Sequence, residues 1–135
     1  MSLNTEERAA VVEFRIEKAL RAYEQACGVR QLGYWETIAN RLYYAASNAV
    51  SALLIANGDT AQTHSGVIHI FGLHFIKTGK VSVEMGRLYN KLFTMRLTGD
   101  YDDTYGLTEE DVVPLIAPAK ELINTTISMA RDMLQ

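Results

Sequence analysis

The stretch YWETIANRLYYAASNAVSALLIA, residues Tyr34 to Ala56, decides the fold. It contains neither glycine nor proline, and its apolar side chains recur at helical spacing on one broad side. These apolar positions are Trp35, Ile38, Ala39, Leu42, Ala46, Ala49, Val50 and Leu53. Small side chains at 45–47 would let another helix approach closely. The stretch therefore predicts a long helix that packs against its neighbours and ends at Gly58.

Four more helices are predicted from the same spacing, from capping residues and from glycine stops. The first begins with the capping-box pair Asn4 and Glu7 and ends at Gly28. The third runs from Thr63 to Gly79, and the fourth follows Ser82 and ends by Gly99. The fifth begins with Thr108 and Asp111 and reaches the end of the chain. Because Pro114 and Pro118 lie beyond the first turn of the fifth helix, we expect them to bend or break it. No strand-like alternation is found, and the connections are short. The sequence predicts one all-α domain over residues 1–135, an antiparallel bundle of about five helices.

The composition excludes some classes of function. The formal net charge of −3 and the sequence pI near 5.6 argue against broad, non-specific binding of nucleic acid, although a local basic patch remains compatible with them. No apolar run approaches the ~18 residues that span a bilayer. The single Cys27 and the polar first residues fit a cytoplasmic protein, so we expect that location and no membrane role.

A polar stripe on the second helix carries the candidate chemistry. Arg41 and Asn48 are seven residues apart and nearly eclipsed, and Tyr34 and Tyr44 lie near the same stripe. At about 100° of rotation per helical residue, the stripe lies beside the apolar face and not within it. This position suits an interface or a cleft. From spacing alone, the ordinary interpretation is that Arg41 pairs with an acidic neighbour and Asn48 makes a hydrogen bond between helices.

The run from Asn40 to Val50, NRLYYAASNAV, resembles the signature segment of the HEPN family, which lies on that family's second long helix. Similarity to the small stand-alone prokaryotic members continues through THSGV at 63–67, FGLHFIKTG at 71–79, Arg96 and DYDD at 100–103. The resemblance covers nearly the whole chain, from about Arg15 to Leu134. It implies a four-helix-bundle-like fold, a homodimer, and a minimal nucleotidyltransferase as the partner.

The resemblance also implies a catalytic motif, which this chain departs from at one position. Active HEPN proteins are metal-independent ribonucleases that use an arginine followed, after four to six residues, by a histidine. Arg41 matches the arginine, and Asn48 stands where the histidine is expected. An amide forms hydrogen bonds but does not titrate near neutral pH, so the usual acid–base group is missing.

Other polar residues are candidates for a ligand site or an interface: His64, Arg96, Asp100 and Tyr101. We expect His74, on an apolar face, to have a core role. We interpret the acidic residues around 100–111 as a solvated loop and a helix start, and we expect neither a metal nor another cofactor.

Two hypotheses about function follow, with a purely structural adaptor as a third. The first is a catalytically degenerate, dimeric HEPN-like module that binds a partner, RNA or a nucleotide in a toxin–antitoxin-like system and is not an enzyme. The alternative is an RNA-cleaving toxin, a metal-independent endoribonuclease, in which Arg41 steadies the phosphate and a group such as His64 transfers the proton.

Overall fold

The computed structural model describes the backbone of residues 3–101 and 106–135 and the side chains of residues 3–97 and 106–135. The described chain forms five α-helices and no strand, as the sequence predicts. The helices are α1 (Thr5–Gly28), α2 (Trp35–Ala56), α3 (His64–Phe71), α4 (Val83–Tyr101) and α5 (Glu109–Met133). A 3₁₀ turn (Arg30–Leu32) precedes α2, and a π-helical turn (Gly72–Ile76) follows α3.

The central element is α2, which packs against each of the other four helices. Its apolar face is fully buried at Ile38, Leu42 and Leu53, as the periodicity predicts. Four alanines of this helix, at 45, 46, 49 and 52, are also fully buried, so neighbouring helices approach its backbone closely. The half-buried side chains of α2 include Arg41, Tyr44 and Asn48, which form the candidate site.

The predicted helix starts are confirmed. In α1 the side chain of Asn4 accepts a hydrogen bond from the backbone N–H of Glu7, whose own side chain accepts one from the Asn4 backbone. Thr108 and Asp111 form the same reciprocal pair at the start of α5. The N-cap of α3 is Thr63, and its hydroxyl accepts from the Gly66 N–H at 2.9 Å. Each cap satisfies N–H groups that have no partner within the helix.

Three expectations are wrong. The fourth helix does not end at Gly99 but continues to Tyr101, since a glycine costs a helix only about 1 kcal/mol. The fifth helix is not broken at Pro114, because burial of its apolar face at residues such as Ala119 and Leu122 offsets the lost donors, while the bend that was the other expectation stays a prediction. His74 is not a core residue: its side chain is 43% exposed, and its Nδ1 lies 2.9 Å from Oδ1 of Asp59.

None of the described helices is long and apolar enough to cross a membrane.

Candidate functional site

The face of α2 that carries Arg41, Tyr44 and Asn48 meets α1. All three side chains are partly buried, so the stripe flanks the core as the angular count predicts. The Arg41 guanidinium lies 5.1 Å from the centre of the Tyr44 ring. It donates through Nη2 to Oδ1 of Asn40 at 2.9 Å and through Nη1 to Oε1 of Gln25 on α1 at 3.1 Å. In the described part of the chain these acceptors are neutral amides and not carboxylates, so no acidic partner in these bonds offsets the positive charge of Arg41.

Asn48 is held at both ends of its amide. Its Oδ1 accepts a hydrogen bond from Nη1 of Arg15 on α1 at 3.1 Å, and its Nδ2 donates to the backbone oxygen of Tyr44 at 2.9 Å. The hydrogen bond between helices that the spacing suggested for Asn48 is therefore confirmed. Among the described residues, Arg41 has no bond to the acidic partner that the spacing suggested, and its acceptors are Asn40 and Gln25.

A cavity of about 290 Å³ lies over this face, between α1 and α2. Among the described residues its lining consists of Lys18, Arg21, Ala22, Gln25, Arg41, Tyr44 and Asn48, which we call the Arg41 groove. Three of these are cations and none is acidic, although the whole chain is negative. The groove is a local basic patch of the kind that the negative net charge of the chain still allowed. Cations around an aromatic ring suit a phosphate with an attached base.

A second cluster also lies against the Tyr44 ring. Nδ1 of His64, at the start of α3, lies 2.6 Å from the hydroxyl of Tyr43. The His64 ring meets the Tyr44 ring edge-on at 5.9 Å. The Arg96 guanidinium lies 5.7 Å from the centre of the Tyr44 ring and 6.0 Å from that of Tyr43. Tyr44 thus has Arg41, Arg96 and His64 around it, from three different helices.

Burial and charge determine the protonation of this cluster. Burial, with the Arg96 charge as the smaller cause, holds the pKa of His64 below its ordinary value of 6.5. Burial raises the pKa of Tyr43 and of Tyr89, whose rings stack at 6.1 Å, so both phenols stay protonated. At neutral pH His64 is therefore a neutral imidazole. If the Tyr43 hydroxyl donates to Nδ1, the proton of the imidazole is on Nε2.

Residues 12–129 match the model of the HEPN domain. The chain belongs to the HEPN family. A UPF0332 protein of Thermotoga maritima is 34% identical over 94% of this chain and 96% of its own length. A Methanocaldococcus jannaschii protein named a "putative toxin" is 30% identical over 85% of this chain and 78% of its own length.

Solved structures support the same fold. The crystal structure of an archaeal HEPN homologue superposes with a TM-score of 0.58 at 24% identity, covering 90% of this chain and 93% of that one. A Thermus thermophilus protein superposes with a TM-score of 0.67 at 17% identity, covering 90% and 97%. At these identities the likeness concerns the HEPN fold alone.

The structure brings most of the candidate residues of this HEPN chain together. Arg41, Tyr44 and Asn48 share the groove, and His64 and Arg96 join them at the Tyr44 ring. Tyr34 precedes α2, is 58% exposed, and does not line the groove. The side chains of Asp100 and Tyr101, and the acidic loop through Asp103, lie outside the described residues.

Sequence reasoning missed Arg15, Lys18 and Tyr43. Arg15 and Lys18 are ordinary charged residues of α1, and only the packing of α1 on α2 selects them. Tyr43 is 0% exposed and bonds to a residue 21 positions away, for which the sequence carries no signal. In the described part of the chain, no three His, Cys, Asp or Glu side chains come together as metal ligands.

Proposed function

We propose that this HEPN chain binds RNA or a nucleotide in the Arg41 groove without cleaving it, as a module of a toxin–antitoxin-like system. The observation that carries the proposal is the pairing of Asn48 with Arg15 and with its own helix, inside a groove lined by three cations. The cations support binding, and the amide at position 48 supports the lack of cleavage.

The binding half rests on charge and on Tyr44. Lys18, Arg21 and Arg41 supply donors for phosphate oxygens, and guanidinium groups can bind a phosphate through two parallel hydrogen bonds. The Tyr44 ring supplies a surface for a base. Because the net charge of the whole chain is −3, we expect attraction for phosphate to arise from local groups of cations such as this groove and not from the surface as a whole.

The absence of cleavage rests on Asn48. Attack by a ribose 2′-hydroxyl needs a group that takes its proton, and an amide cannot do so. Both polar atoms of this amide already have protein partners, at 3.1 and 2.9 Å. Asn48 therefore fixes the wall of the groove and leaves the acid–base position empty of a titratable group.

The biological setting is proposed from relatives. Two Methanocaldococcus jannaschii relatives, 30% and 31% identical, are named putative toxins. These names support a toxin–antitoxin-like pair for this HEPN chain. We propose in addition a homodimer with a minimal nucleotidyltransferase as its partner, which only the resemblance of the segment from Asn40 to Val50 to the HEPN signature implies. Co-purification of the chain with a nucleotidyltransferase encoded beside it tests the partner, and light scattering on the purified protein tests the homodimer.

A second candidate function, a metal-independent endoribonuclease, is favoured by one observation at His64. The Tyr43 hydroxyl, 2.6 Å from Nδ1, fixes the orientation of the ring, and in the tautomer whose Nδ1–H donates to the Tyr43 oxygen Nε2 has a free lone pair. The lowered pKa keeps such a ring neutral and able to accept a proton at neutral pH. In this alternative Arg41 holds the phosphate and His64 takes the proton. Cleavage that His64→Gln abolishes would select it over the binding module.

Binding of a short labelled RNA, followed by fluorescence anisotropy, tests the main proposal. We expect Arg41→Ala to weaken binding about tenfold or more, since a charged hydrogen bond is worth roughly 1.5–3 kcal/mol. The matched control is Lys80→Ala, which removes the same charge from an exposed residue that does not line the groove. Equal loss in both variants, or no binding by the wild type, would contradict the proposal.

A further inference from the structure

A second cavity of about 290 Å³ lies farther along the same pair of helices. Its apolar floor includes Leu54, Ile55 and Val67, and the side chains of Arg8 and Arg15 also line it. The lining also includes uncharged polar residues, among them Ser51, Thr60 and Gln62. Its size is near the lower end of ligand pockets, which start at roughly 300 Å³. An apolar floor with cations beside it suits a flat ring that carries a phosphate.

Arg15 joins this cavity to the Arg41 groove. Its side chain lines the second cavity, and its Nη1 donates to Oδ1 of Asn48, which lines the groove. Arg41, Asn48 and Ile55 are spaced by seven residues on α2, so they follow one face of the helix over roughly 21 Å. The two cavities therefore lie in sequence along the α1–α2 seam, with a guanidinium between them.

The charges in the second cavity also favour an anion. Arg8 is fixed there, since its Nη1 donates to the backbone oxygen of Ile55 at 2.6 Å. Asp59 is the acidic residue in the described lining, and its two oxygens already have partners: Nδ1 of His74 and Nδ2 of Asn57, both at 2.9 Å. A guanidinium has five N–H donors, so Arg8 and Arg15 keep donors for a ligand.

We propose that the second cavity is a further nucleotide subsite, so that the ligand of this chain is a single-stranded RNA that lies along the α1–α2 seam. One nucleotide of the RNA occupies the Arg41 groove, and the next nucleotide places its base against Leu54 and Val67 in the second cavity. Arg15 binds the phosphate between the two nucleotides. The inference rests on the proposed function, which supplies the first subsite. It adds a minimum ligand length of two nucleotides.

The test compares a labelled tetranucleotide RNA with a labelled mononucleotide by fluorescence anisotropy. Arg8→Ala removes a cation from the second cavity only, and Ala61→Leu fills that cavity without changing charge. We expect each to weaken the tetranucleotide about tenfold and to leave the mononucleotide unchanged, whereas Arg41→Ala weakens both. In addition, Arg8→Ala should lower the salt slope of binding by roughly 0.7, the value for one phosphate contact on a single strand.

The outcomes separate the two claims. If Arg41→Ala weakens both ligands while Arg8→Ala and Ala61→Leu leave the tetranucleotide unchanged, the second subsite is refuted and the proposed function stands. If Arg41→Ala weakens neither ligand, the proposed function itself fails. Displacement of the RNA by an acidic peptide at equal affinity would make the cavity a protein docking site and overturn the assignment. Circular dichroism checks the fold of each variant, and Ala61→Leu retains the Arg8 bond to Ile55.

Discussion

Asn48→His should convert the binding groove into a cleaving one. The new imidazole would stand between Arg15 and Arg41, in place of an amide that now bonds to Arg15 at 3.1 Å and to the Tyr44 backbone at 2.9 Å. One ring nitrogen can replace the amide as donor to the Tyr44 oxygen, and the other then faces the groove. The nearby cations hold the pKa of such an imidazole down, so that it is neutral and able to accept a proton at neutral pH.

The expected gain is the value of one positioned acid–base group. That value is about 10²–10⁴ in rate, which corresponds to roughly 3–5 kcal/mol of barrier. The assay is single-turnover cleavage of an end-labelled RNA in EDTA at saturating protein. The cleavage rate should rise with pH and level off above the pKa of the new imidazole.

Two controls show whether the gain arises at this position. Asn48→Gln keeps an amide that does not titrate and should stay inactive, and the double variant with Arg41→Ala should lose the gained activity. If Asn48→His folds and binds RNA but cleaves no faster than Asn48→Gln, the explanation of inactivity by the missing histidine is refuted.

Three further predictions concern the cluster around Tyr44. Tyr43→Phe should lower the free energy of unfolding by about 1 kcal/mol in urea titrations, since it keeps the ring and removes the hydrogen bond to His64; an unchanged midpoint would show that this bond does not stabilise the fold. Because the pKa of His64 is lowered in the folded state, the unfolded chain binds more protons below pH 6.5, so stability should fall as the pH decreases from 6.5 through the folded pKa. His64→Gln should flatten that part of the profile, and an identical profile would contradict the assignment. Thr63→Ala should cost about 1 kcal/mol in thermal melts because it removes the N-cap of α3, whereas Thr63→Ser should retain most of the stability.

Much of the fold could be predicted from local patterns. The apolar face of α2 gave its bounds to within one residue, and the Asn4 and Thr108 boxes gave the starts of two helices. These features depend on residues a few positions apart in the sequence, and the geometry of a helix determines which of their side chains are in contact. Pro114 misled for the opposite reason, because burial of the apolar face of α5 outweighed a local helix-breaking preference, and Gly99 misled because a single glycine costs a helix little.

The candidate site could be predicted only in part. The eclipsed pair Arg41 and Asn48, with Tyr44 between them, follows from the period of one helix. The partners Arg15 and Gln25 depend on how α1 is aligned along α2, which no local pattern encodes. The contact of His64 with Tyr43 depends on the path of the connection between α2 and α3. The candidate motif is therefore visible in the sequence, whereas the charges and hydrogen bonds around it are visible only in the fold.

The central claim is that the Arg41 groove binds RNA and does not cut it. The most direct measurement incubates one end-labelled RNA with the wild type and with Arg41→Ala in EDTA, and records bound fraction and cleavage in the same samples. We expect the wild type to bind the RNA, to leave it intact, and to lose binding with Arg41→Ala. Cleavage by the wild type that disappears in Arg41→Ala would contradict the account and identify the chain as an active ribonuclease.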